Sequence, residues 1–309
     1  MAAVRRCAAC TEGGGLGHNS PQKRTSLLGR KILRYLSLSV NVLYGSGKMS
    51  GREEMEIQGK SAIVTGSAGG IGRATAVMLV ERGAAEIRLV DVKEDALAET
   101  ARLVAAKGAR VTTHVLDLSD VPAVEAWFEV HGDVDILHNN AGVVSGLPQF
   151  PDVDAARIRW IIDVNITSLV AATQIAVQKM KKRGGGVIIN TVSTVALGTG
   201  FYDAMYATTK AAVMMFTRCC APLKEECNVR VAGMLPGLVD TPILDTTGAG
   251  GKSEWMKAVL ANNEACRPED IAGGVMALIE DDSLAGGDWV AVRRLDGKVE
   301  YQWGHADSI

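Results

Sequence analysis

The feature that most restricts how this chain can fold is a run of glycines at a single junction. Residues 62–65 form a short apolar stretch ending in Val64-Thr65. Gly66-Ser67-Ala68-Gly69-Gly70-Ile71-Gly72 follows, and a helical period sets in at once over residues 71–82. Glycine tolerates backbone conformations and close approaches that a Cβ forbids, so a strand can turn into a helix here almost without a loop. The first N–H groups of such a helix have no partner within it, and they face the turn as an anion site. The same alternation continues down the chain. Short runs rich in Val and Ile at residues 87–91, 110–116, 136–139, 187–192, 229–235 and 289–292 read as strands, and residues 94–107, 121–131, 155–182 and 204–226 between them read as helices. Parallel strands need long crossovers, so this order predicts an α/β fold: a single doubly wound parallel sheet flanked by helices on both faces. With 47% hydrophobic residues, 34 glycines and only 8 prolines, the composition suits a large core with many tight turns.

A glycine-rich turn between a strand and a helix, with an acid at the end of the second strand, is the arrangement of a Rossmann-type dinucleotide site. Asp91 is that acid. A carboxylate there accepts hydrogen bonds from an adenosine ribose and repels a 2′-phosphate, which favours NAD over NADP. Tyr206 and Lys210 lie four residues apart on a predicted helix, and so on one face. A nearby ammonium favours the phenolate and lowers a pKa that is otherwise about 10, which would make Tyr206 a general base.

The glycine spacing TGxxxGxG, Asn139-Asn140-Ala141-Gly142 after the fourth strand, Asn165, Ser193, Tyr206-x-x-x-Lys210 and Pro236-Gly237 with Thr241 beyond it occur in one order over residues 59–289. In these elements the chain resembles the short-chain dehydrogenase/reductases. The resemblance implies catalysis by Asn165, Ser193, Tyr206 and Lys210. Ser193 would steady the substrate oxygen, and Asn165 would hold a water that connects Lys210 to solvent. It further implies that Gly66, Gly70, Ile71 and Gly72 face the pyrophosphate, Asp91 the ribose, Asp117 and Leu118 the adenine, and Asn139 and Ala141 the adenosine. Tyr206 and Lys210 would sit beside the nicotinamide ribose, and Pro236, Val239 and Thr241 would orient the nicotinamide. The expected reaction interconverts a secondary alcohol and a ketone with NAD. An NADP-dependent ketoreductase and a dinucleotide-sensing protein without turnover are the alternatives. The segment Pro236–Leu244 and the tail over residues 293–301 are similar to hydroxyprostaglandin dehydrogenase-like members. Three positions depart from the family pattern: Val192-Ser193 stands where Ser-Ser is common, Ala232-Gly233 where Asn-Ala is common, and His138 where an aliphatic residue is usual.

Residues 246–251 are glycine-rich and lead into Trp255 and Met256, which reads as a mobile substrate lid. With Leu197, Phe201, Tyr202 and Met205 these side chains offer an apolar wall for a hydrophobic alcohol or ketone. A formal charge of -2 supplies no electrostatic reason for a nucleic-acid partner. The family commonly pairs its two long helices, here residues 155–182 and 204–226, so a homodimer or homotetramer is expected.

Residues 1–54 read as a basic extension preceding an NAD-binding catalytic domain over 55–309. Between Gly13 and Ser50 there is no acidic residue, while Lys and Arg are scattered among Ser and Leu. This is the composition either of a disordered extension on a cytoplasmic protein or of a mitochondrial transit peptide; a third reading makes the extension a membrane or partner anchor. Its apolar part, residues 35–44, is too short to span a bilayer. Cys7 and Cys10 form a CxxC without a second pair at zinc spacing, so no metal site is expected, and all six cysteines read as reduced thiols.

Overall fold

The computed structural model describes residues 56–199 and 201–307, so the basic extension and its Cys7 and Cys10 lie outside the described residues. The first half of the fold runs β1 (Ser61–Thr65), α1 (Gly70–Glu81), β2 (Glu86–Asp91), α2 (Glu94–Ala105), β3 (Arg110–Val115), α3 (Val121–His131) and β4 (Ile136–Asn139). The second runs α4 (Ala155–Ile162), α5 (Ser168–Arg183), β5 (Gly186–Thr191), α6 (Ala204–Cys219), α7 (Leu223–Cys227), β6 (Val229–Pro236), α8 (Glu254–Asn262), α9 (Pro268–Glu280), β7 (Trp289–Leu295) and β8 (Lys298–Gly304). The strands make one sheet in the order β3-β2-β1-β4-β5-β6-β7-β8. Every pairing is parallel except that of β7 with β8.

The two halves of the sheet diverge from β1 and β4, and their carboxyl ends are where such a sheet takes its ligand. Central β6 is buried at every position and β1 at four of five, as expected of strands covered on both faces. Edge strand β3, Arg-Val-Thr-Thr-His-Val, is polar and largely exposed, which discourages edge-to-edge association. Apolar residues of α1 and α9 pack with Val64, Leu89, Ile189 and Met234 in one core cluster, and those of α3 and α5 pack with Ile63, Val90, Leu137 and Ile188 in another.

Two expected helices come out differently. The 155–182 segment is interrupted by a π-helical turn, Asp163–Thr167, which contains Asn165. The 204–226 segment ends at Cys219, because Pro222 has no N–H to continue the ladder and its ring clashes with the preceding turn. Helices α8 and α9 and strand β8 are additions to the expected elements. The signal for α9 was present, with Pro268 in the first turn and Asp270 closing a capping box on Arg267. By composition alone the continuous segment Ala155–Arg183 passes for a membrane span, but 56% of its most apolar window is buried inside the protein, as in a core helix.

Arg230, the second residue of β6, is 2% exposed. Its guanidinium donates to the carbonyls of Leu278 and, at 2.8 Å, of Ile279, and it reaches Asp282 at 3.5 Å. The arginine thereby supplies donors to the last turn of α9, whose carbonyls have no helical partner. Truncation would leave those buried acceptors bare beside a cavity. Arg230→Ala is expected to lower folding stability by about 2–4 kcal/mol, read as a shift of the urea unfolding midpoint.

Candidate active site

The glycine turn is built against the end of β4. The Thr65 hydroxyl accepts from the backbone N–H groups of Asn140 (3.0 Å) and Ala141 (3.1 Å), and the Asn140 amide donates to the carbonyls of Thr65 (3.0 Å) and Gly66 (3.3 Å). A Cβ at Gly66 would stand 2.8 Å from the Ala141 Cα, and one at Gly72 would stand 2.2 Å from the Gly66 oxygen, so both positions demand glycine. Helix α1 starts from Gly69 with no side-chain cap and no acid in its first turn. The space where a Gly69 side chain would sit is open, while Gly70 (φ +52°) lies against the Thr241 side chain. Open N–H groups at the start of α1, in a cradle with no competing carboxylate cap, fit the pyrophosphate of a dinucleotide.

Asp91, at the end of β2, accepts from the N–H of Ala68 in the glycine turn (3.0 Å) and from the N–H of Lys93 (3.1 Å). Its carboxylate is therefore held beside the turn. Asp117 and Leu118 follow the neighbouring strand β3; the Asp117 carboxylate accepts from the Ser119 N–H and hydroxyl, each at 2.8 Å. Leu118 is partly buried against the core. Two of the positions expected along the cofactor, Asn139 and Val239, direct their side chains into the protein. The Asn139 amide is turned inward, donating to Thr173 and to Asn190 at 3.0 Å each, because strand alternation aims it into the α5 side of the sheet. Val239 is 6% exposed within the core. A cofactor contact at either position would therefore be made by the backbone and not by the side chain. Asn140, passed over in the sequence, is the side chain that grips the glycine turn.

Asn165 sits in the π turn, where the widened helix presents its side chain to the loop after β4. Its Oδ1 accepts from the Val143 N–H (2.8 Å), and its Nδ2 donates to the Val143 carbonyl (2.8 Å) and to the Thr209 hydroxyl on α6 (3.0 Å). Ser193, just past β5, caps a short 3₁₀ turn, Thr194–Leu197, and hydrogen-bonds the Tyr206 phenol. Lys210 is 3% exposed. Its ammonium donates to the Thr191 carbonyl at 2.8 Å and lies 5.8 Å from the centre of the Tyr206 ring. A Cβ on Gly142 would come within 3.3 Å of the Lys210 Nζ and 3.4 Å of the Asn165 Oδ1, so these polar groups converge on one point. Asn165, Ser193, Tyr206 and Lys210 are thus gathered at the carboxyl ends of β4 and β5.

The electrostatics correct one expectation. Burial pushes the Tyr206 phenol up to about 12; the Ser193 hydrogen bond works against that rise, and the Asp203 carboxylate adds to it. Burial likewise brings Lys210 down to about 8. Burial of the phenol, and not the charge of Lys210, is the largest influence on its pKa.

Phe201 lies 6.1 Å from the Tyr206 ring and meets Trp255 edge-on at 5.7 Å; Tyr202 stacks on Trp255 at 5.2 Å. These contacts bring α8 over Tyr206. The preceding glycines form a tight turn, with the Gly248 N–H on the Gly251 carbonyl at 2.9 Å and the Ser253 N–H on the Thr247 hydroxyl at 3.0 Å. Met256 is buried at 6% exposure, so Trp255 is the α8 side chain of this pair that joins the aromatic wall.

Residues 60–250 match the family model of the short chain dehydrogenases, and the chain belongs to this family of oxidoreductases, which binds nicotinamide dinucleotides. The chain is 32% identical over 246 residues to the probable oxidoreductase EphD of Mycobacterium tuberculosis, with 75% of the chain and 40% of that protein covered. It therefore spans about two fifths of that relative's length. It is 33% identical to 1-deoxy-11-beta-hydroxypentalenate dehydrogenase of Streptomyces exfoliatus, covering 74% of the chain and 82% of the relative. Identity to cis-4-hydroxycyclohexanecarboxylate dehydrogenase of Sinomonas cyclohexanicum is 31%, covering 71% and 89% respectively. Among solved structures, a short chain dehydrogenase from Mycobacterium paratuberculosis bound to NAD is similar with TM-score 0.64 and 28% identity, covering 74% of this chain and 94% of that one. A 3-oxoacyl (acyl-carrier-protein) reductase from Agrobacterium tumefaciens C58 with NADP bound is similar with TM-score 0.64 and 29% identity, covering 73% and 89%.

His138 lies beneath this site, fully buried in β4, with Nε2 2.9 Å from the Thr191 hydroxyl and Nδ1 unpartnered. Burial depresses its pKa from 6.5 to about 3. Between those two pH values the unfolded chain binds a proton that the folded chain refuses, so stability falls as pH is lowered through that window. The loss approaches about 1.4 kcal/mol per pH unit. His138→Leu should flatten this dependence: between pH 7 and pH 5 the natural chain is expected to lose up to about 2 kcal/mol more unfolding free energy than the variant. Equal losses in the two proteins would remove His138 as the group responsible.

Proposed function

We propose that the chain is an NAD-dependent dehydrogenase that interconverts a secondary alcohol and a ketone, with Tyr206 as general acid and base. The observation that carries this reading is the convergence of Tyr206, Ser193 and Lys210 at the carboxyl edge of a sheet whose first helix presents an open N-terminus. Bound NAD supplies a hydride acceptor and a positive charge at the nicotinamide. In the oxidative direction the substrate hydroxyl sits between Ser193 and Tyr206, and the phenolate takes the hydroxyl proton as hydride leaves the carbon that bears the hydroxyl, so that the carbonyl forms. Ser193 donates to the oxygen as the carbonyl forms. A phenol pushed up to about 12 has to be brought down for this role, and cationic charge close to its oxygen does so by favouring the phenolate. Lys210, with Asn165 and the Val143 backbone next to it, provides the route by which the proton leaves.

Asp91 supports NAD. Two backbone N–H groups restrain its carboxylate beside the turn, which disfavours its swinging away from a 2′-phosphate. The substrate class follows from the aromatic wall of Phe201, Tyr202 and Trp255, which suits a flat or cyclic apolar body. The named substrates of two relatives, hydroxypentalenate and hydroxycyclohexanecarboxylate, support an alcohol carried on a carbocycle.

Tyr206→Phe is expected to reduce kcat for a cyclic secondary alcohol by about 10²–10⁴-fold while NADH binding, followed by fluorescence, persists. Retained turnover would overturn the mechanism. Asp91→Ser should raise the NADP-to-NAD ratio of kcat/KM by at least about tenfold, the equivalent of about 1.4 kcal/mol. A natural chain that already prefers NADP would overturn the cofactor assignment and favour a ketoreductase.

A further inference from the structure

Asp203 carries no role in the scheme above, yet it is among the most buried acids of the fold at 1% exposure. It precedes α6 and accepts three hydrogen bonds. One Oδ1 contact comes from the Tyr206 N–H at 3.0 Å and a second from the Ser145 hydroxyl at 2.5 Å, while Oδ2 accepts from the Ser145 N–H at 2.8 Å. Ser145 is also 1% exposed and belongs to the loop leaving β4. Its carbonyl accepts from the Arg157 Nε at 2.7 Å, and Val143, two residues earlier, has both backbone groups bound by Asn165. The loop is therefore gripped from α4, from the π turn and from the start of α6.

We propose that Asp203 is a positioning residue, a latch that fixes the catalytic tyrosine against the loop Val143-Val144-Ser145. This rests on the dehydrogenase reading. One carboxylate holds the first turn of α6 and the β4 loop in a single register, so the phenol and the wall beside it cannot drift independently. Displacement of a catalytic group by about 1 Å costs on the order of 10²-fold in rate. The charges facing Asp203 are few: Arg157 acts from α4 through the Ser145 carbonyl, and Tyr206 and Lys210 lie along α6. Its negative charge also favours the protonated phenol.

An ordinary helix cap would be replaceable by serine, which caps as well as aspartate does. Serine at 203 retains a hydroxyl for the Tyr206 N–H but cannot also serve both donors of Ser145, and it carries no charge. Three measurements on the full chain, natural and Asp203→Ser, test the latch: melting temperature, amide hydrogen exchange at Ser145 and Gly146, and the pH dependence of kcat for a cyclic alcohol with NAD. The variant should still unfold cooperatively, melting up to about 10 °C below the natural chain, exchange at least about tenfold faster at those amides, and lose about tenfold or more in kcat. Its rise of rate with pH should move toward lower pH, because a charge that opposes the phenolate is gone. Unchanged exchange, or natural kcat with an unmoved pH profile, overturns the latch. A natural chain that turns over no alcohol with NAD or NADP overturns the dehydrogenase reading and the catalytic role of Asp203 together, and exchange alone then decides whether the tether exists.

Discussion

The amide of Asn165 ties its own π turn to two elements that the chain brings in from separate regions. It satisfies both backbone groups of Val143 in the loop after β4 and reaches the Thr209 hydroxyl on α6, whose own proton goes to the Tyr206 carbonyl at 2.8 Å. Buried polar groups without partners are costly, so each of these contacts is hard to give up. The π turn is what makes the set possible. An extra residue in the turn shifts the side chain off the regular helical stripe and toward the loop, a device often found at functional sites.

Around that amide the site uses burial in two opposed ways. Sheltering Tyr206 and Lys210 raises one pKa and lowers the other, which brings the lysine toward neutrality and keeps the phenol protonated while the site lacks added positive charge. Under the proposed mechanism the same dry surroundings would strengthen every interaction with a charge that develops on the substrate oxygen. His138 shows the burial effect without the catalytic use: it is a neutral ring in the sheet core, two strand positions before Asn140.

Much of the fold could be read directly. Strand boundaries at 62–65, 87–91 and 136–139 agree with the structure to within a residue, because a buried parallel strand is a short apolar run between turn residues. Gly66 and Gly72 were legible for a related reason, since Ala141, just past β4, leaves no room for a Cβ at Gly66 and the Gly66 carbonyl leaves none at Gly72. Asn139 and Asn140 were not separable in this way. Neighbours on a strand end point to opposite faces, and which face meets the glycine turn depends on the pairing of β1 with β4. Periodicity was equally blind to the π turn within 155–182, since a single extra residue barely disturbs a pattern of 3.6 residues per turn.

Sequence alone therefore determined what depends on local chemistry: the strand-helix alternation, the glycine turn, and the helical spacing that sets Tyr206 and Lys210 on one face. Tertiary structure decided what depends on distance and burial. Ser145 and Asp203 are 58 residues apart, and no local pattern announces that they meet. It also decided that the phenol stands near 12 rather than near neutrality, because desolvation is a property of the assembled core and outweighs a neighbour four residues along the helix.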